Sequence, residues 1–175
     1  MIKIGEPAPE FKNITAYHKG QFTSVSSTDY RGTWLVLFFY PRDFTFVCPT
    51  EIREFARLQS EFQECGCSII GISTDSEHSH KAWFERDLPE VEYPILADTT
   101  QTVSRDYNVL GSDGASQRGT FIIDPDGIVR WMIVSDNSVG RSVTETVRAL
   151  RALQTGNLCP VEWAPGDTFV GPGKK

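Results

Sequence analysis

Four cysteines, at positions 48, 65, 67 and 159, are the residues of this 175-residue chain best suited to chemistry. The first lies in "LFFYPRDFTFVCPTEIREF", residues 37–55. An apolar run stops at Pro41, a polar segment follows, and Cys48 is succeeded at once by Pro49 and a helix-like pattern. Proline suits a first helical turn, where its missing N–H would be unpaired anyway. A thiol at that position meets free amides and the positive end of the helix dipole, which favour the nucleophilic thiolate. A nearby arginine would add to the effect. The competing reading is a cysteine packed as a small hydrophobe, common for this residue type. The helix start alone leaves the two about even.

The other candidates are weaker. Cys65 and Cys67 form a C-x-C, which could be an auxiliary redox pair, but such disulfides are strained. Two thiols at a helix-to-strand turn beside Gly66 is the favoured reading. His78 and His80 form an H-x-H with no third or fourth ligand nearby, so surface helix histidines are expected rather than a metal site. The aromatics Phe38, Phe39, Tyr40, Phe44 and Phe46 are expected mostly in the core and the pocket wall. No cofactor is called for.

The elements that must position these groups alternate. "TWLVLFFY" is a continuous apolar run of strand length, as for a strand buried on both faces. Residues 50–64 place Ile52, Phe55, Leu58 and Phe62 at helical spacing. "CSIIGIST" is a second buried strand, and Ser76 can cap a helix through "EHSHKAWFERD". "YPILAD" predicts a strand, followed by a short helix over 102–107. "GTFIIDPDGIVRWMIV" predicts two strands around the turn at 124–127. A final helix starts near Ser142, with Val143, Val147, Leu150 and Leu153 on one face and Gly156 just past its end. The Pro- and Gly-rich tail "NLCPVEWAPGDTFVGPGKK" is expected as an extended arm. The pattern predicts an α/β fold, a central mixed sheet flanked by helices. Cys48 falls at the carboxyl end of a central strand, where such folds place their sites.

Length and composition fit one domain, and a chain this long buries roughly 70% of its unfolded surface without disulfide staples. The net charge is −6 and the pI about 5.1. With no basic stripe, neither nucleic acid nor an anionic membrane is an expected partner. No segment reads as a signal peptide or a membrane span, and a cytoplasmic location is expected.

"YPRDFTFVCPTE" resembles the active-site loop of the peroxiredoxins, whose signature Pro-x-x-x-Thr/Ser-x-x-Cys is met by Pro41, Thr45 and Cys48. "STDSEHSHKAWF", "QRGTFIIDPDG" with Arg118, "VGRSVTETVRAL" and "LCPVEWAPG" follow in that family's order. The similarity runs over residues 5–166 and is strongest to the typical two-cysteine branch that includes alkyl hydroperoxide reductase and thioredoxin peroxidases. It implies a thioredoxin-like fold with an N-terminal hairpin, a peroxidase unit over 1–158 and an arm over 159–175. It also implies reduction of hydrogen peroxide and organic hydroperoxides, without metal or cofactor. Cys48 would attack peroxide and become a sulfenic acid. Thr45 would hydrogen-bond thiolate and peroxide, Arg118 would stabilise their charge, and Pro41 would shield the sulfur. Cys159 would resolve the sulfenic acid as an intersubunit disulfide.

The same resemblance implies a homodimer, a decamer built from five dimers, and electrons from thioredoxin or a flavoprotein disulfide reductase. An additional holdase or redox-sensing role is compatible with it. A thioredoxin-like disulfide oxidoreductase would need a second cysteine where Glu51 stands. Two elements of peroxide-sensitive relatives are missing: "ERDLPEVEYP" replaces a Gly-Gly-Leu-Gly loop, and the tail ends "VGPGKK" rather than in a helix with Tyr-Phe. Easy unwinding at Cys48 and resistance to overoxidation are therefore expected.

Overall fold

A computed structural model describes residues 1–171. In chain order the elements are β1 (Ile14–His18), β2 (Gln21–Val25), β3 (Trp34–Phe39), α1 (Cys48–Arg57), α2 (Gln59–Glu64), β4 (Cys67–Ser73) and α3 (Glu77–Asp87). Then follow β5 (Ile95–Ala97), α4 (Thr102–Asp106), β6 (Arg118–Ile123), β7 (Val129–Ser135) and α5 (Val143–Thr155). The strands form one seven-stranded sheet in the order β2-β1-β5-β4-β3-β6-β7. β3 pairs parallel with β4, and β4 with β5, while the remaining pairs are antiparallel.

β3 is central and carries no polar residue because both its faces are covered. Val36 and Phe38 point to a core layer shared with Ile52 and Phe55 of α1 and Val143, Val147 and Leu150 of α5. Leu35, Leu37 and Phe39 point to the other layer, with Val103, Tyr107 and Phe121. Phe38 stacks on Phe55 with centroids 4.1 Å apart, which seats α1 directly on the strand that precedes it. β4 approaches so closely that Gly71 has no room for a side chain: a Cβ there would lie 2.8 Å from Ile95 and 2.9 Å from Phe38.

The turns follow the sequence. The β1–β2 hairpin closes through Lys19 and Gly20, both at positive φ (49° and 82°), the conformation a two-residue hairpin loop requires. At the second hairpin the Asp124 carboxylate accepts the amides of Asp126 and Ile128, and Gly127 takes φ 80°. α5 is capped by Ser142, which accepts the Glu145 amide, and ends at Gly156 in the left-handed region.

Three expectations need correction. The helix read over 50–64 is two helices, broken at Leu58, whose ψ of 7° interrupts the regular turn. His78 is exposed, as expected, but His80 is fully buried on the inner face of α3 with Trp83 and Phe84. The spacing of these three residues is helical; a histidine among them was masked by its polarity. The tail is less extended than its composition suggests. Leu158 pairs with Gly171, and between them Trp163 is buried, stacked on Phe169 at 5.8 Å. Arg148 of α5 donates to the Trp163 carbonyl at 3.1 Å and fastens this loop to the helix. The last four residues of the expected arm over 159–175 lie outside the described residues.

Among the described residues no helix is long and apolar enough to cross a membrane.

Candidate active site

Cys48 is the first residue of α1, with Pro49 in the opening turn as its sequence predicts. Val47 is the residue before the helix, and its carbonyl accepts from the amides of Thr50 and Glu51 and from the Thr50 hydroxyl. No side chain caps this end. The helix start is buried nonetheless, and Cys48 is 1% exposed.

Arg118, at the first position of β6, reaches this point across the sheet. Its Nη1 lies 3.5 Å from Cys48 Sγ and 2.7 Å from Glu51 Oε2. Its Nε and Nη2 both donate to the Asn137 carbonyl, at 2.9 and 2.8 Å, which fixes the plane of the guanidinium. Glu51, one helical turn after Cys48, is 2% exposed and also faces Arg141. Arg141 gives Glu51 three bonds: backbone amide and Nε to Oε1, and Nη2 to Oε2, all between 2.8 and 2.9 Å. Its Nη1 donates to the Gly119 carbonyl and the Thr120 hydroxyl, and its guanidinium lies 5.5 Å from the centre of the Phe38 ring.

Burial works against the Glu51 charge. The hydrogen bonds and charge of Arg141, with the charge of Arg118, outweigh it and hold the carboxyl below the usual range. The cluster therefore contains two guanidinium cations and one carboxylate. One positive charge is left over, and it stands at the sulfur of Cys48.

Of the residues expected from sequence, Cys48 and Arg118 are in contact. Pro41 is buried just beyond β3, on the loop that leads to Cys48. Thr45 lies on the same loop but is exposed, and its hydroxyl donates to the Arg42 carbonyl at 2.9 Å rather than to the sulfur. Cys159 is half-buried beyond α5. Its sulfur lies 3.5 Å from Thr155 Oγ1 and donates to the Ala152 carbonyl at 3.7 Å, within its own segment. It lines a groove of about 450 Å³ with Trp131, Arg148, Leu153 and Pro160. All four cysteines are free thiols. Burial pushes the Cys67 thiol up to about 12, and it sits on β4 away from these groups. A protonated buried thiol is inert, which favours the packing reading for that half of the C-x-C.

Glu51 and Arg141 were not singled out by the sequence. A signal for Glu51 was present: a residue three positions after Cys48 shares its helical face. Arg141 lies in "VGRSVTETVRAL", one of the segments that carry the resemblance, but local spacing gave no sign of its role, which depends on a contact 90 positions away.

A buried cysteine at a helix start thus faces an arginine from the first position of β6, the strand antiparallel to β3. Residues 4–132 match the model of the AhpC/TSA family. The chain is 46% identical to peroxiredoxin-2 of Macaca fascicularis over 180 residues, covering 97% of this chain and 90% of that one. It is 47% identical to peroxiredoxin prdx-2 of Caenorhabditis elegans over 182 residues, covering 98% and 90%. Among solved structures it resembles the reduced 2-Cys peroxiredoxin of Plasmodium vivax, with a TM-score of 0.90 and 36% identity over 95% of this chain and 91% of that one. Mycobacterium bovis AhpC gives 0.85 and 38%, over 94% and 99%. The chain belongs to the AhpC/TSA family of peroxiredoxins, is a thiol-dependent peroxidase, and has the thioredoxin-like fold expected.

Proposed function

We propose that Cys48 is the sulfur that reduces hydrogen peroxide and organic hydroperoxides. The observation that carries this is the Arg118–Cys48 contact at a buried helix start. The thiolate attacks the distal peroxide oxygen, the O–O bond breaks, and the leaving oxygen departs as hydroxide or alkoxide and takes a proton. Cys48 is left as a sulfenic acid. The surplus positive charge of the Arg118–Glu51–Arg141 cluster stands beside the sulfur, where it stabilises the charge that develops on the leaving oxygen. Pro41 shields the sulfur from water and bulk peroxide, and Thr45 serves the peroxide once its hydroxyl turns from the Arg42 carbonyl.

Cys159 of a second subunit then attacks the sulfenic sulfur, forming the disulfide and releasing water. Cys159 makes its contacts with α5 and the tail, remote in sequence from Cys48, which suits a partner in another chain. A homodimer finds support in β7, an edge strand that exposes Met132, Ile133 and Val134. Open edges of this kind favour strand pairing. A decamer, reduction by thioredoxin or a flavoprotein disulfide reductase, a cytoplasmic location and a holdase or redox-sensing role complete the reading. Residues 1–158 form the peroxidase unit and 159–175 the resolving arm.

One equivalent of peroxide should give a covalent dimer on a non-reducing gel, absent in both Cys48→Ser and Cys159→Ser. A dimer that persists in either variant defeats the assignment. Cys48 should also resist overoxidation, so sulfinic acid at low peroxide in the mass spectrum would count against easy unwinding at the helix start.

A further inference from the structure

An organic hydroperoxide brings a substituent that hydrogen peroxide lacks, and the structure limits where that group can go. The inner side of Cys48 is filled: Arg118 stands 3.5 Å from the sulfur, and Glu51 beside it is 2% exposed. On the other side, Thr45 and Pro49 edge a pocket of about 270 Å³ between the site loop, α1 and the end of α3. Phe44 and Trp83 form its apolar wall, with ring centroids 5.7 Å apart.

The rest of the lining is charged. Arg53, one helical turn after Pro49, directs Nε to Glu90 at 3.0 Å and Nη2 to the Asp87 carbonyl at 2.7 Å. Arg86 directs Nε and Nη2 to the two carboxylate oxygens of Asp87, at 2.8 and 2.6 Å. Its guanidinium lies 5.1 Å from the centre of the Phe44 ring. Among the described residues, Nη1 of neither arginine has a hydrogen-bond partner in the protein. Asp87, the acidic residue of the lining, has both oxygens engaged by Arg86. A guanidinium with its fork partly used keeps donors suited to a further carboxylate. The chain carries a net charge of −6, so long-range attraction does nothing for an anion, and a preference for one must be local.

We propose that this pocket seats the substituent of an organic hydroperoxide, and that Arg53 and Arg86 make it select substituents that end in a carboxylate. The proposal rests on the reading of Cys48 as the attacking sulfur. Thr45 takes the peroxide group at the pocket's edge, and the carboxylate meets the two Nη1 groups on the far side. Both arginines are more than half exposed and already paired, so the preference is about three- to five-fold in rate.

Cumene hydroperoxide and its para-carboxylate, which differ only in the charged group, test this on the full-length protein. Second-order rates of Cys48 oxidation are measured with both, and the ratio of carboxylate to parent is taken within each protein, so that general damage to Cys48 cancels. The same ratio for 2-mercaptoethanol gives the intrinsic difference between the two peroxides. In wild type the ratio should exceed that of the free thiol about three-fold. A wild-type ratio equal to or below the free thiol's overturns the proposal.

The ratio should drop about two-fold in Arg86→Met and at least about three-fold when Arg53→Met is added. An unchanged ratio in the double variant overturns the proposal too. Arg53 also ties α1 to the end of α3, so if the double variant does not fold, Arg86→Glu replaces it. Reversing the charge should bring the ratio below that of Arg86→Met, and equal ratios overturn the assignment. Consumption of cumene hydroperoxide surviving in Cys48→Ser would remove the underlying reading and the proposal with it. Loss of consumption there, with a wild-type ratio no higher than the free thiol's, would remove the proposal alone.

Discussion

Glu51 holds Arg118 at 2.7 Å through the same nitrogen that lies 3.5 Å from the sulfur of Cys48. The guanidinium is thus shared between a permanent anion and a group that becomes one. Glu51 is in turn saturated by Arg141, so its demand on Arg118 is partial, and the arginine stays aimed at the sulfur by the Asn137 carbonyl.

Removing that donor should cost rate far more than fold. Arg118→Met should slow Cys48 oxidation by roughly 10²- to 10³-fold, as when one preorganised donor is lost. Arg141 still neutralises Glu51, so the variant should remain folded by circular dichroism. Stopped-flow tryptophan fluorescence would follow the reaction; a rate within three-fold of wild type would exclude the electrostatic role.

Glu51→Gln should behave in the opposite way, leaving two buried arginines without their carboxylate. A loss of about 3–5 kcal/mol is expected in urea unfolding at neutral pH. Because the folded carboxyl titrates below its ordinary range, the stability it contributes is present above the unfolded value of about 4.3. That contribution is lost as pH falls through the lower, folded value. The gap between wild type and variant should therefore narrow in acid, and a gap independent of pH would refute the charge argument.

Cys67 should be silent to thiol reagents in the folded protein. Its thiol is raised to about 12 by burial, so at pH 8 it stays protonated and covered. Mass spectrometry after iodoacetamide should find label on Cys67 only after denaturation. The unfolded thiol ionises near 8.5, so this group also withdraws stability as pH rises above that value. Labelling of native Cys67 at the rate of a surface thiol would contradict its placement on β4.

Gly71→Ala should weaken the floor of the site. The added methyl meets Ile95 and Phe38 inside 3 Å, and Phe38 supports both Phe55 of α1 and the Arg141 guanidinium. A destabilisation of about 1–3 kcal/mol is expected for such overpacking, with a slower Cys48 reaction beside it. Unchanged thermal melting would mean that β4 relaxes freely.

In the proposed cycle, a Cys48–Cys159 disulfide would form only after the start of α1 and the tail open. Amide exchange should accelerate at Thr50 and Glu51, bonded to Val47, and at Leu158 and Val170, which close the tail loop, when the protein is oxidised. Equal protection in the reduced and disulfide forms would exclude local unfolding as part of the cycle.

What the sequence determined by itself was local. The run through β3, the Pro49 helix start, the Asp124–Gly127 turn and the Ser142 cap are each decided by neighbours a few positions apart. The spacing of Pro41, Thr45 and Cys48 was legible for the same reason, as was the likeness to a known active-site loop. Tertiary structure alone decided which distant groups meet. Arg141 became a partner of Glu51, and the polar His80 became a core residue, because the sheet brought acceptors to them from far along the chain. Periodicity reports which face of an element is buried. It carries no record of the charge or carbonyl waiting on the other side, and in a buried site those partners decide what each polar side chain does.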